Sequence, residues 1–499
     1  MRGMDLTAEN FNELQAHNKR LKVENRLLNQ KLQYLLGKLF GKSSEKINPD
    51  QLALEFGVDS VAPDTPEAAA EVEEVAVPRK KRKHRPLSER IPEDLPVEEV
   101  VIEPEEVLAE PEAFRRIGEE VTEELDVVPT KFFKRRTIRP KYVRKADRSL
   151  PPVVAPAPKR IIDNSYASAG LLANIVLAKY ADHLPLYRQS QINKTRFGID
   201  ISRQTMADWM FRLAQMLAMI YEAMREEIRT ETYLQIDETP VRYQDPGSGK
   251  CGQGYLWPYH APGKAVFFEW HTGRASECLD KTLAGFKGIV QSDGYSAYGA
   301  YKKRHPEAQI EYAACWAHAR RKFHEARNES PFAAQTLLEI QGLYKIETNL
   351  RDNPALNRRT IRQEKSVPIL ERIGLQLQAE QSSHLPKSQT GKAIDYTLKL
   401  WKKLLVYTEL AHVEIDNNLV ENAIRPTAIG KKNWLFFGSA EAGRTSAIHY
   451  TLLETCRKLD LNPDEYLRDI LPKLPHMTNR TAKDYTPAAW KAIRDAGEG

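Results

Sequence analysis

The sequence predicts an α+β, multidomain protein. It reads as an N-terminal coiled coil, a small β-rich module, a helix-turn-helix-like helical domain, an α/β core with a helical insertion, and a helical C-terminal tail. Three observations carry this. Leu14, Leu21, Leu28 and Leu35 recur every seven residues. Short segments rich in aromatic and β-branched residues, bounded by glycine, crowd into 233–293. The stretch from about 325 to 411 is charged and helical, without strand signals. A chain of 499 residues also exceeds what one hydrophobic core organises.

The elements follow in order. In residues 1–45 the positions four beyond each leucine are Asn18, Asn25, Leu32 and Leu39. Asparagine at such a seam costs stability but fixes register and strand number. The segment therefore predicts a dimerising coiled coil making contact through 11–40, the alternative being a helix packed on its own chain. Residues 46–112, rich in proline, alanine and glutamate, read as a linker with a basic run at Arg79–Arg85. Residues 113–150 read as a small basic module in which Phe132, Phe133 and Tyr142 alternate with lysine and arginine, a pattern suited to nucleic acid.

Residues 151–230 open on the stiff PPVVAPAP and continue as helices. Within 184–217 the pattern is helix, glycine-containing turn, helix. Ser202 is placed to cap the second helix. Met206, Trp209, Met210 and Leu213 form its inner stripe, and Arg203, Gln204 and Asp208 point outward. Arg203 is thus a candidate DNA contact, although any helical hairpin shares this pattern. Residues 231–440 hold the strands YLQID, GYLWPYHA, KAVFFEW and GIVQSD, with EYAACWAH as a further candidate. In YLQID the alternation sends Leu234 and Ile236 to one side. The tail, 441–499, is expected to be helical to about 474 and loose beyond.

The formal charge of +6, from 74 basic and 68 acidic residues, permits a nucleic-acid partner without demanding one. Cys251, Cys278, Cys315 and Cys456 form no C-x-x-C pair, which indicates neither a disulfide framework nor a thiolate zinc site. The N-terminus shows no apolar leader, and the most apolar run, near 167–181, is broken by Asn174 and Lys179. A cytoplasmic protein without a membrane partner is expected.

Two strands end in an aspartate beside a turn: Asp237 closes YLQID and Asp293 closes IVQSD. Further on, residues 416–425 read as an amphipathic helix with Asp416 at the N-cap. Asn417, Asn418, Glu421, Asn422 and Arg425 lie on one face, and Leu419, Val420, Ala423 and Ile424 on the other. Pro426 is expected to end it, followed by a Gly-Lys-Lys-Asn loop. Hard divalent cations take carboxylate oxygens. Two of them about 3.5–4 Å apart assist phosphodiester chemistry. Asp237, Asp293 and Glu421 suit that role. The plain alternative is two turn aspartates and a surface glutamate.

The motifs IDETPVRY, QSDGYSAY, CWAHARRKF and DNNLVENAIRPTAIGKKNWLFFGS occur in this order and closely resemble the transposases of the insertion sequence 66 family. The likeness also takes in LLGKLFGKSSEK and GLLANIVLAKYADHLPLYRQ, and so covers most of the chain. It implies an RNase H-like α/β core in which Asp237, Asp293 and Glu421 are the DDE acids, holding two Mg²⁺ ions for which Mn²⁺ can substitute. It also implies element ends and target DNA as partners, a homo-oligomer, and small accessory proteins of the same element. The chain departs from the family at 113–150, where a cysteine-rich zinc module is usual; residues 1–250 contain no cysteine, so no zinc is expected. Asn422 stands where arginine is more common.

By the same resemblance, Cys315 and His318 shape the junction of sheet and helix near the site. Arg320, Arg321 and Lys322 are candidate phosphate contacts, as are Arg425, Lys431 and Lys432, with Arg444 nearby. Trp434 suits either base stacking or the core. The implied activity is two-metal cleavage of element ends followed by strand transfer. The alternatives are a recombination nuclease without strand transfer and a catalytically degenerate DNA-binding protein.

Overall fold

The structure, a computed structural model, describes residues 15–25, 28, 131–133, 141–142, 153–154, 159–245 and 249–497. The linker 46–112, most of the basic module at 113–150, and Leu14 and Leu35 of the heptad seam lie outside the described residues. The chain divides into two units, 1–41 with 136–499, and 42–135. In the first, residues 15–25 and 28 are helical, and Leu21 and Leu28 are exposed. Strands β1 (Lys141–Tyr142) and β2 (Val153–Val154) pair antiparallel.

The main body is mixed α/β with a helical majority. Helices α1 (Ala169–Tyr180), α2 (Leu186–Phe197) and α3 (Arg203–Arg229) come first. Gly198, at φ 65°, ends α2 in the left-handed conformation that glycine adopts without penalty. The Ser202 hydroxyl accepts from Thr205 N at 3.0 Å and starts α3. Met206, Trp209, Met210 and Leu213 are buried and Arg203, Gln204 and Asp208 exposed, as their spacing predicts. The helix runs on well past that stripe, and its second half joins the same hydrophobic core as the sheet, where Tyr221 donates to Phe268 O at 2.7 Å.

Six strands form the sheet: β3 (Tyr233–Ile236), β4 (Thr239–Gln244), β5 (Cys251–Ala261), β6 (Ala265–His271), β7 (Gly288–Ser292) and β8 (Ile310–Ala314). The long β5 pairs antiparallel with β6 on one side and with both β3 and β4 on the other. Its partners Ile236↔Tyr259 and Thr239↔Leu256 keep one register. Thus β3 and β4 are one extended path, interrupted at Asp237 and Glu238. Pro258 faces Asp237 there and has no N–H to donate, so the ladder opens. On its other side β3 runs parallel to β7, and β7 parallel to β8.

Both faces of the sheet are covered. Leu234, Ile236 and Val290 join one core with α1, α3 and α12 (Ala440–Lys458). Tyr233, Ile289, Ala313 and Ala314 join a second with α6 (Trp316–Ala326) and the helices that follow it. All four residues of β3 are therefore buried: Leu234 and Ile236 point to one side, as the alternation in YLQID predicts, and Tyr233 and Gln235 face the second layer on the other. The β6 edge is buried too, with Thr455 and Thr451 of α12 accepting from Val266 N and Phe268 N at 3.0 and 2.9 Å.

Between the strands lie α4 (Asp280–Leu283) and α5 (Ser296–Arg304). The second layer is built from α7 (Pro331–Asp352), α8 (Arg358–Ile361), α9 (Val367–Glu380) and α10 (Gln389–Glu409). Within it Glu347 and Arg362 form a fully buried pair, and Arg358 bridges Glu347 to Glu414. EYAACWAH is a strand only to Ala314; Cys315 then caps α6.

Two expectations near the C-terminus are overturned. Pro426 does not end its helix: α11 spans Asn418–Trp434, so Gly430, Lys431, Lys432 and Asn433 are helical rather than a loop. Proline leaves the carbonyl four residues back without its donor; here Arg457 Nη2 donates to Asn422 O at 3.2 Å and replaces it. The segment beyond 474 is not loose. After α13 (Pro463–Ile470), α14 (Pro487–Gly497) returns and buries Trp490 edge-on against Tyr466. Among the described residues no helix is long and apolar enough to cross a membrane.

Candidate active site

The pairing of β3 with β7 fixes the position of the two aspartates. Tyr233↔Ile289, Leu234↔Val290 and Gln235↔Gln291 are partners, each 56 residues apart. Asp237 and Asp293 have that same separation, so the register carries both to the carboxyl ends of neighbouring parallel strands, about 4.8 Å apart. In open α/β sheets this edge is where ligands bind.

Each aspartate is set by a tight local bond. Asp237 Oδ1 accepts from Glu238 N at 2.8 Å, and Asp293 Oδ1 from Tyr295 N at 2.7 Å. Gly294 sits at φ 85°, and a β-carbon there would meet Leu400 at 2.6 Å, so the turn after Asp293 requires glycine. The Tyr396 hydroxyl of α10 donates to Asp293 O at 2.6 Å.

Glu421 arrives from far along the chain, and two buried glutamines register it. Each stands two residues before its aspartate. Gln235 Nε2 donates to Asp416 O at 2.9 Å, and its Oε1 accepts from Val420 N at 3.2 Å. Gln291 Nε2 donates to Glu414 O at 2.8 Å. The Tyr233 hydroxyl joins the pair, donating to Gln291 Oε1 and accepting from Glu414 N. The segment 414–420 is thereby pinned across the ends of β3 and β7. The helix starts one residue later than expected, with Asn417 rather than Asp416 at the N-cap, and Asp416 Oδ1 accepts from Asn418 N at 3.1 Å. Asn417, expected on the outer polar face, is fully buried, with its N–H pointing at Cys315 Sγ at 3.4 Å.

Cys315 is a buried neutral thiol, its pKa pushed up to about 12 by burial. His318, one turn into α6, brings Nε2 to 3.7 Å from Glu421 Oε1, beyond hydrogen-bond reach. Burial lowers the His318 pKa, and the charges of Glu421 and Asp293 oppose that. Arg321 Nη2 stands 3.9 Å from Glu421 Oε2.

The acids act on one another. Burial first, then the charge of Glu238, with smaller contributions from Asp293 and Glu421, pushes the Asp237 pKa up to about 8. The Glu421 Oε1 atom is buried with no hydrogen-bond partner. Among the described residues, no group of three or more histidine, cysteine, aspartate or glutamate side chains is close enough to hold a metal ion as it stands. The arrangement is a set of neighbouring carboxylates, with the Asp237 pKa raised, that is not closed into a cage.

The sequence reading passed over Glu238. Its carboxylate is buried beside Asp237 and paired with Arg274, whose guanidinium lies 3.8 Å over the Tyr295 ring. Tyr298 donates to it at 3.3 Å. The adjacent Asp-Glu dipeptide was its signal.

The candidate DNA contacts divide. Arg203, Arg320, Arg321, Arg425 and Lys432 are exposed. Lys322 is half-buried, its ammonium 4.7 Å over the Tyr396 ring. Lys431 is drawn inward, donating to Thr239 Oγ1 and Pro240 O at 2.9 Å. Trp434 is half-buried: one face of its ring is stacked on Phe437 at 4.8 Å, and its Nε1 is buried.

Comparison with known proteins completes the picture. Residues 164–445 match the model described as Transposase IS66 family, and residues 27–100 the model described as Transposase C of IS166 homeodomain. Two proteins of Sinorhizobium fredii are similar over most of their length. Uncharacterized protein y4qI is 36% identical over 450 residues, 86% of this chain and 81% of the relative. Uncharacterized protein y4jD is 32% identical over 489 residues, 93% of this chain and 94% of the relative.

Proposed function

This chain belongs to the IS66 family of transposases, and from that premise we propose that it binds the ends of an insertion sequence, cuts them and joins them to target DNA. Asp237, Asp293 and Glu421 would be the catalytic acids. What supports this is the pinning of the segment 414–420, just before Glu421, across the ends of the two strands that carry the aspartates, with the Asp237 pKa raised to about 8 by burial and by neighbouring carboxylates. An RNase H-like reading of the core is supported by a mixed sheet in which an antiparallel meander is joined by two parallel strands.

A pair of Mg²⁺ ions, or Mn²⁺ in their place, would supply neutralisation of the phosphate charge and activation of the attacking oxygen. Asp237, Asp293 and Glu421 would hold them. The chain's own part is positioning. The sheet edge and the glutamine pair hold the acids in line, and the low-dielectric surroundings strengthen their pull on a cation. His318 and Arg321 flank Glu421 and limit where its carboxylate can turn. The two chemical steps are in-line displacements. Water first breaks the P–O bond at the element end, releasing a 3′ hydroxyl. That hydroxyl then attacks a target phosphodiester, expelling a target 3′ oxygen. Arg203, Arg320, Arg321, Lys322, Arg425 and Lys432 supply phosphate contacts, and Lys431 orients α11 against β4.

The oligomer that pairs two ends forms through residues 11–40, where Leu21 and Leu28 are exposed. Accessory proteins of the same element join it, and the protein acts in the cytoplasm. The test is Glu421→Gln in purified full-length protein with Mg²⁺ and element-end DNA. It is expected to bind DNA as before and to lose cleavage by at least about a hundredfold. Cleavage retained by this variant removes Glu421 from the site.

A further inference from the structure

The connection between α11 and α12 turns on an unusual backbone conformation at Leu435. Leu435 stands at φ 65°, ψ −46°, and the Phe436 N–H donates to Trp434 O at 2.8 Å. That two-residue closure is a γ-turn of the strained hand, in a region that non-glycine residues seldom occupy. The turn is clamped from inside. Trp434 and Phe437 stack across it at 4.8 Å and 16°, and Phe437 is buried edge-on against Trp270. The Phe437 N–H and carbonyl bond to Arg242 O and Gln244 N at 2.9 Å. The clamp presents Leu435 and Phe436 to solvent, 66% and 38% exposed.

The rest of the helix points at the same partner. Arg425, Ile429 and Lys432 are exposed at spacings of four and three, one stripe of α11 that begins at Glu421 and ends at the turn. A narrow apolar tip flanked by cations is too small for a protein interface core, and its charge suits phosphates. Leu435 lies 435 − 421 = 14 residues from Glu421, about 21 Å along a helix axis. That is about six base-pair steps of DNA.

We propose that Leu435 and Phe436 form a rigid wedge that enters between base pairs of the bound duplex, about six steps from the phosphate under attack, while Arg425 and Lys432 hold the flanking phosphates. Inserted apolar side chains unstack and kink DNA. A tip fixed in a strained turn does this without first losing conformational freedom. The inference rests on the DNA reading given above.

The test uses the full chain and two duplexes about three helical turns long, one fully paired and one with two adjacent mismatched pairs at its centre, followed by fluorescence anisotropy. A wedge prefers the mismatched duplex, where less stacking is lost, by about tenfold. Leu435→Gly combined with Phe436→Ser should reduce the preference to within about twofold, with affinity for the paired duplex and its salt slope little changed. Leu435→Asn, which also tolerates the left-handed backbone, is a second variant for the same readout, and Leu435→Met should retain the preference. An undiminished preference in the glycine–serine variant overturns the proposal, as does equal binding of both duplexes by the unaltered chain. Binding of neither duplex removes the DNA reading itself, and the wedge with it. A fall in molar mass of the variant by light scattering also overturns the wedge, since it makes the tip a contact between copies.

Discussion

Replacing Asp237 with asparagine is expected to stabilise the metal-free protein, and increasingly so as pH rises. Its pKa is raised from 3.8 to about 8 by burial and by the charges of Glu238, Asp293 and Glu421. The folded state therefore keeps a proton that the unfolded chain releases. Below about pH 4 both states hold it and nothing is lost; between pH 4 and 8 stability falls. At about 1.36 kcal/mol per unit the ceiling is about 5–6 kcal/mol. Asp237 is only partly shielded from solvent and shares its repulsion with three neighbours, so about 2 kcal/mol is the expected gain at pH 8. In a protein of this size that raises Tm by about 3 °C. Asparagine keeps the Oδ1 that accepts from Glu238 N. The assay is thermal unfolding of both proteins with a chelator at pH 5 and pH 8, repeated with Mg²⁺. The gap between them should widen from pH 5 to pH 8, and Mg²⁺ should narrow it by raising the unaltered protein. A gap that is flat with pH, or a variant less stable at pH 8, refutes the reasoning.

Three further outcomes are open to measurement. Gln235→Leu leaves Asp416 O and Val420 N without their side-chain partner, and should cost about 2–3 kcal/mol and most of the cleavage, while DNA binding persists; an unchanged Tm with full cleavage contradicts the pinning of α11. Arg457→Met should cost about 1 kcal/mol by uncovering Asn422 O, and Pro426→Ala should stabilise that variant more than it stabilises the unaltered protein; a double-mutant cycle with no coupling rejects the replacement of donors. Gly294→Ala must take up φ 85° and displace Leu400, and a loss of about 2 kcal/mol or more is expected by chemical unfolding; a neutral result shows that the turn after Asp293 yields freely.

The sequence made the strands, the helix pair α2 and α3 and the Ser202 cap legible because each rests on local chemistry: glycine boundaries, a hydroxyl at the right offset, a stripe at helical spacing. It also held the register of the site, since the glutamines and the aspartates of YLQID and IVQSD are both 56 residues apart. What it hid depended on distant partners. Pro426 looks like a terminator until Arg457 supplies the missing donor. Trp434 gives no local sign that Phe437 covers one face of its ring. Trp490 gives no local hint that Tyr466 waits for it, and the covered outer layer over β3 required knowing that the helices at 331–409 fold back on the sheet. Glu238 was missed because its role is set by Arg274, 36 residues on.

The glutamine pair bears on how the protein is made. A ribosome delivers Asp237 and Asp293 well before it reaches Glu421, and until then Gln235 and Gln291 have no backbone at 414–420 to grip. On the assignment proposed here, a nascent or prematurely stopped polypeptide holds two of its acids and much of its DNA-contacting surface, but no cutting power. On that assignment the capacity to cut DNA would arise only with the late stretch of translation that brings Glu421, and shortened products would compete with the full-length chain for DNA.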